Sequence, residues 1–135
     1  MRIVIDASVA VKWVLNEPRT EAAVALRQLE LLAPALWLAE AANALWRHVR
    51  LGEFNSEQAL ARLSELEKAP VASLAIEPHV AHALRLAAEG DHPVYDCIYL
   101  AVALHQSTHV VTDDRRFVAA AARLSLADRV RLLGT

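Results

Sequence analysis

The pattern of apolar and polar positions divides the chain into short oily runs and longer periodic stretches. Ile3-Val4-Ile5 is apolar without alternation, as in a strand buried on both faces of a parallel sheet. Val71–Ile76, Val110-Val111-Thr112 and Val130–Leu133 read the same way, and Ala33–Trp37, which contains Pro34, predicts a short strand near its start or at a sheet edge. Between them the spacing turns helical. Ser8–Leu15 predicts a short helix ended by Asn16-Glu17-Pro18, and Glu21–Leu32 a second one capped by Thr20 with Ala22, Ala25, Leu26, Leu29 and Leu32 on one face. Further helices are predicted over Leu38–Leu51, closed by Gly52, and over Ser56–Lys68, His79–Glu89, Val94–His105 and Arg116–Leu124. Strands alternate with helices, so the predicted class is α/β with a mostly parallel sheet.

Composition narrows this picture. A chain of 135 residues with no repeat, linker or low-complexity tract reads as one domain, 1–135. An apolar fraction of 56% with three Gly and five Pro fits a helix-rich globular fold. The net charge of −2 supplies no global attraction for nucleic acid, which leaves a local basic patch or a bound cation to do so. Asp6 and Lys12 interrupt any would-be leader peptide, and no run reaches the ~18 apolar residues of a membrane span. With the lone Cys97, these features lead us to expect a cytoplasmic protein that touches no membrane.

Four acidic sites stand in apolar company. Asp6 follows Ile3–Ile5, and Asp113-Asp114 follow Val110–Thr112, at the strand ends where parallel sheets open their crevices. Asp6 alone could simply cap the next helix. Glu40 heads a narrow polar stripe with Asn43 and Arg47, spaced either for a solvent face with an internal ion pair or for a site. Asp96 has only Tyr99, Leu100 and Ala103 one and two turns ahead, so a positive group from elsewhere should face it. If these acids converge, two carboxylates ~5 Å apart repel by roughly 3 kcal/mol at an effective dielectric of 20. An oxygen-only cluster then selects a hard dication, and such a centre activates water for attack on a phosphodiester.

The stretches Asp6-Ala7-Ser8-Val9-Ala10-Val11-Lys12-Trp13, Glu40 with Asn43-Ala44-Leu45, Tyr95-Asp96-Cys97-Ile98-Tyr99-Leu100-Ala101 and Val111-Thr112-Asp113-Asp114-Arg115-Arg116-Phe117 resemble the PIN-domain family. Within it they are similar to the VapC-type toxin ribonucleases of toxin–antitoxin pairs. The resemblance implies a three-layer α/β/α fold with about five strands and an Mg²⁺-dependent endoribonuclease, in which Mn²⁺ can substitute. It implies a catalytic set of Asp6, Glu40, Asp96 and Asp114, with metal ligation by Asp6, Asp96 and Asp114. Ser8, Asn43, Thr112 and Asp113 take supporting roles. The family's Thr-x-Asp ending maps the fourth acid to Asp114 and puts Asp113 at the variable position; either aspartate can fill the role on sequence grounds. The implied partners are RNA, a VapB-type antitoxin and a second copy of the chain.

Other residues carry less. The six histidines lack zinc-like spacing, and Cys97 reads as packing. Trp13, Trp37 and Trp46 read as core or interface. Lys12, Arg47, Arg50, Arg115 and Arg116 are candidates for phosphate contacts. Two other function classes stay open: a non-catalytic module of PIN shape, and a phosphoacceptor receiver domain. The receiver wants an acidic pair after its first strand, where this chain has Asp6-Ala7-Ser8.

Overall fold

A computed structural model describes residues 1–135. Five strands, β1 (Arg2–Ile5), β2 (Glu30–Pro34), β3 (Val71–Leu74), β4 (Val110–Thr112) and β5 (Val130–Leu132), form one sheet in the order β3-β2-β1-β4-β5. Every neighbouring pair is parallel. Seven helices flank it: α1 (Ala7–Ala10), α2 (Thr20–Ala25), α3 (Trp37–Arg50), α4 (Ser56–Glu67), α5 (Val80–Gly90), α6 (Val94–His105) and α7 (Arg115–Arg123). The architecture is three-layer α/β/α, and the sheet is wholly rather than mostly parallel. No helix is long and apolar enough to cross a membrane.

The middle strand explains the opening run of the sequence. Ile3, Val4 and Ile5 lie between two strands and under helices, each no more than 1% exposed. The chain leaves β1 toward β2 and β3, then returns to β4 and β5 on the other side. That reversal parts the connections above β1 and β4 and leaves a crevice at their carboxyl ends. The backbone N–H of Asp6 donates to the Val111 carbonyl at 3.0 Å and holds the two strand ends side by side.

Helix α6 is the second fixed element. Cys97 through Ala103 are all buried, so the helix is apolar on every side, as a helix enclosed by its neighbours must be. It packs across β1, β2 and β4 and against α5, and its first turn carries Asp96 out to the crevice. Helix α3 buries Trp37, Ala41 and Leu45. Trp37 anchors it by donating its indole N–H to Ser73 Oγ at 2.9 Å.

Two early elements differ from expectation. The helix predicted over Ser8–Leu15 is α1 followed by a 3-10 turn, Val11–Trp13. The helix predicted over Glu21–Leu32 ends at Ala25, with a 3-10 turn at Leu26–Gln28, and the predicted Ala33–Trp37 strand is instead Glu30–Pro34. Leu29 and Leu32 fit a helical period, but Leu31, Leu32 and Ala33 are claimed by the sheet interior, so tertiary burial overrides local spacing. Pro34 sits in an inner strand, not an edge, and is tolerated because it is the strand's last residue; Ala35 takes the next ladder bond to Leu74 at 2.7 Å. Thr20 does not cap α2: Arg19 holds that position with φ 66°, while Thr20 Oγ1 brackets the Glu17 backbone.

Gly52 ends α3 as expected, with φ 77° just after the C-cap Leu51. No atom lies within 4 Å of where its Cβ would be. Gly52→Ala should therefore cost about 1 kcal/mol through backbone strain alone, read as a lower urea midpoint with an unchanged denaturant slope.

Candidate active site

Asp6 follows the middle strand directly and is 6% exposed. It occupies the N-cap position of α1 but its side chain caps nothing, which removes the simple capping explanation. Its Oδ2 instead accepts two hydroxyls: Thr112 Oγ1 at 2.6 Å and Ser8 Oγ at 3.2 Å. These hydroxyls are themselves fixed, since the Asp114 N–H donates to Thr112 Oγ1 at 3.1 Å and the Asp113 N–H to Ser8 Oγ at 3.0 Å. Burial raises the Asp6 carboxyl to about 7, the Thr112 and Ser8 bonds opposing and the charges of Asp96 and Glu40 adding to the rise.

Glu40 is half-buried on the first turn of α3. Its partner is neither Asn43 nor Arg47 but Tyr99, whose phenol donates to Oε1 at 2.6 Å. Tyr99 is fully buried on α6, and burial together with the carboxylates of Asp6 and Glu40 keeps its proton firmly in place. Glu40 itself is raised above the ordinary carboxylate range by desolvation, with Asp96 contributing.

Asp96 meets its side-chain partner four residues back. His92 Nε2–H donates to Oδ2 at 2.6 Å, and the His92 ring is stacked on buried Phe117 at 5.7 Å. Sequence reasoning missed this residue because it searched forward along α6, whereas His92 lies in the turn before it. Desolvation still lifts Asp96 above the ordinary range, against the pull of His92 and with a contribution from Asp114.

The two adjacent aspartates have different surroundings. Asp113 accepts from Arg19 Nε and Nη2 at 2.7 and 3.1 Å and lies 3.0 Å from Lys12 Nζ. Partial burial opposes its ionisation, but the bonds from Arg19 and Lys12 prevail and its carboxyl is lowered. Asp114 caps α7 through Oδ1, which accepts the Arg116 N–H at 2.9 Å. Its second oxygen accepts no protein donor.

Asp6, Ser8, Glu40, Asp96, Asp113 and Asp114 all line one cavity of about 520 Å³, together with Glu17, Arg47 and His48. Thr112 lies beneath Asp6. Asn43 lies outside, in an adjoining groove. No three His, Cys, Asp or Glu side chains are drawn into a ready-made metal cage. Lys12 is 3% exposed between Glu17 and Asp113, so it is structural and cannot reach a phosphate. Arg50 lies over Trp46, while Arg115 and Arg116 are exposed. Burial and the charge of Asp96 push the Cys97 thiol up to about 11, too high for a nucleophile.

The charge state of Asp6 has a readable consequence. Its folded pKa lies above the unfolded value of 3.8, so its contribution to stability is complete below that value and is lost as pH rises through about 7. In chelator at pH 8, Asp6→Asn should be more stable than the parent by a few kcal/mol, at most about 4. The gap should close at pH 4, as followed by thermal melts.

The sequence matches the family model of the PIN domain over residues 3–123. Among solved structures, the chain is similar to the crystal structure of PAE2754 from Pyrobaculum aerophilum. Identity is 26% and the TM-score 0.71, with 94% of this chain and 90% of that one covered. No curated protein matches it significantly. The family match leaves the receiver reading without support. A parallel sheet with its acids at the β1–β4 crevice, matched along nearly all its length, establishes that this chain belongs to the PIN domain family, whose members are typically metal-dependent nucleases.

Proposed function

We propose that residues 1–135 act as one domain, an Mg²⁺-dependent endoribonuclease of the VapC toxin kind, with Asp6, Glu40, Asp96 and Asp114 as its acidic centre. One observation carries this reading. Each of these four carboxylates has one oxygen held by a protein donor (Thr112 and Ser8, Tyr99, His92, and the Arg116 backbone) and a second that accepts from no protein group. The neighbouring Asp113 has both oxygens engaged by cations. Asp113 is thereby a neutralised support, and Asp114 is the better fourth acid.

The residues fit a hard dication. The donors are all carboxylate oxygens, fixed in orientation, and Asp6 is buried without any cationic side chain of its own. Asp6, Asp96 and Asp114 would hold the ion, with Mn²⁺ able to replace Mg²⁺. Bound there, it would neutralise phosphate charge and acidify a water for attack. Ser8 and Thr112 fix the rotamer of Asp6. Tyr99 holds Glu40 with its unbound oxygen available to take a proton from an attacking water. Arg47, near the end of α3, lines the same cavity and gives a phosphate a positive partner.

The four ordered motifs support the toxin assignment, with a cytoplasmic setting and a VapB-type antitoxin as partner. An apolar groove between α3 and α4, where Trp46 and Leu60 are 50% and 64% exposed, suits cover by another chain, including a second copy.

The test is cleavage of RNA by the purified protein. Asp6→Asn, Asp96→Asn and Asp114→Asn should each lower Mg²⁺-dependent cleavage by about a hundredfold or more, and chelator should abolish it. Asp113→Asn should retain cleavage while lowering stability. Manganese should raise the melting temperature of the parent and not that of Asp6→Asn. Unchanged cleavage by Asp6→Asn would overturn the assignment.

A further inference from the structure

A second groove of about 420 Å³ adjoins the acidic cavity and shares Glu40 and Arg47 with it. Its other lining includes Asn43 and Tyr95. Tyr95 is 65% exposed, immediately before Asp96 on the first turn of α6. The residues after Asp96 are buried, so Tyr95 alone at this end of α6 offers an aromatic face to solvent. Glu40, Asn43 and Arg47 stand three and four apart on α3 and so share one face of it. Arg47 makes no ion pair with any acid of the chain. The polar stripe noted in the sequence therefore lines a groove to which Tyr95 adds an aromatic ring.

We propose that this groove is a single-strand nucleotide subsite, in which Tyr95 stacks one base beside the scissile phosphate, Asn43 meets that base's polar edge and Arg47 holds the adjoining phosphate. The idea rests on the nuclease reading for what occupies the neighbouring cavity. Three properties select a nucleotide over other occupants. The volume lies within the range of small-ligand sites. The free guanidinium complements a phosphate and not an apolar partner. The groove runs directly into the acidic cavity, where the next phosphate of the same strand would lie. Aromatic platforms of this kind accept unpaired bases and cannot reach bases stacked within a duplex.

The probe is a short single-stranded RNA carrying 2-aminopurine at successive positions, held in calcium buffer with its integrity checked on a gel. With the parent, fluorescence at one position should be quenched by stacking. Tyr95→Phe should keep that quenching; Tyr95→Leu should lose it and weaken binding about tenfold. Arg47→Ala should weaken all sequences alike and reduce the salt dependence of binding. Manganese should raise the melting temperature of Tyr95→Leu as much as that of the parent, which separates the subsite from the acidic centre. Parent-like quenching and affinity in Tyr95→Leu would overturn the subsite, as would equal affinity for duplex RNA. Absence of RNA quenching in the parent would count against it too and favour a protein partner on this face. A parent unresponsive to manganese would fail the nuclease reading while the quenching still decides the subsite.

Discussion

The bond between Thr112 Oγ1 and Asp6 Oδ2 is the contact on which this structure turns. It joins the ends of the two strands between which the chain reverses direction across the sheet. A buried carboxylate without a cation costs several kcal/mol, and two hydroxyls recover only part of that. The fold keeps Asp6 in this place by surrounding it with elements that cannot move away. Behind it is the middle strand, beside it β4, and α6 packs across both. The stability lost here is offset by the apolar core through Ile3, Val4, Ile5, Tyr99 and Leu100.

The distribution of positive charge around the crevice is as specific as that of the acids. Lys12 and Arg19 are spent on Asp113, and His92 on Asp96. None of these groups reaches Asp6 or Glu40, whose carboxyls are lifted by burial. The cavity thus retains acids without a cationic partner while Arg47, on the same face of α3 as Glu40, stands unpaired. Free acids beside one free guanidinium would suit a dication and a phosphate held side by side.

Much of this was legible in the sequence, and the failures have physical causes. Ile3–Ile5, Val94–His105 and Val110–Thr112 were readable because unbroken apolar runs have few alternative uses. The stretch from Leu26 to Pro34 was not, because its leucines satisfy a helical period and a buried strand equally well. The acids were legible as polar groups in oily surroundings. Their partners were harder to read: His92 lies outside the helix it serves, and Tyr99 resembled one more core aromatic. A phenol among seven consecutive buried residues was nevertheless a signal, since its hydroxyl had to find an acceptor. No periodicity could separate Asp113 from Asp114, as the difference is made by Lys12 and by Arg19, ninety-four residues away.

The acids and their hydroxyl support come from four separated stretches, and the last of these, Thr112 and Asp114, is supplied by β4 and the turn after it. A chain whose β4 is not yet in place would therefore hold Asp6, Glu40 and Asp96 with no way to complete the pocket. Pairing of β4 with β1 is what brings Thr112 against Asp6 and sets Asp114 at the rim. The cavity is thus a property of the whole sheet, and local opening at β4 would dismantle it in one step.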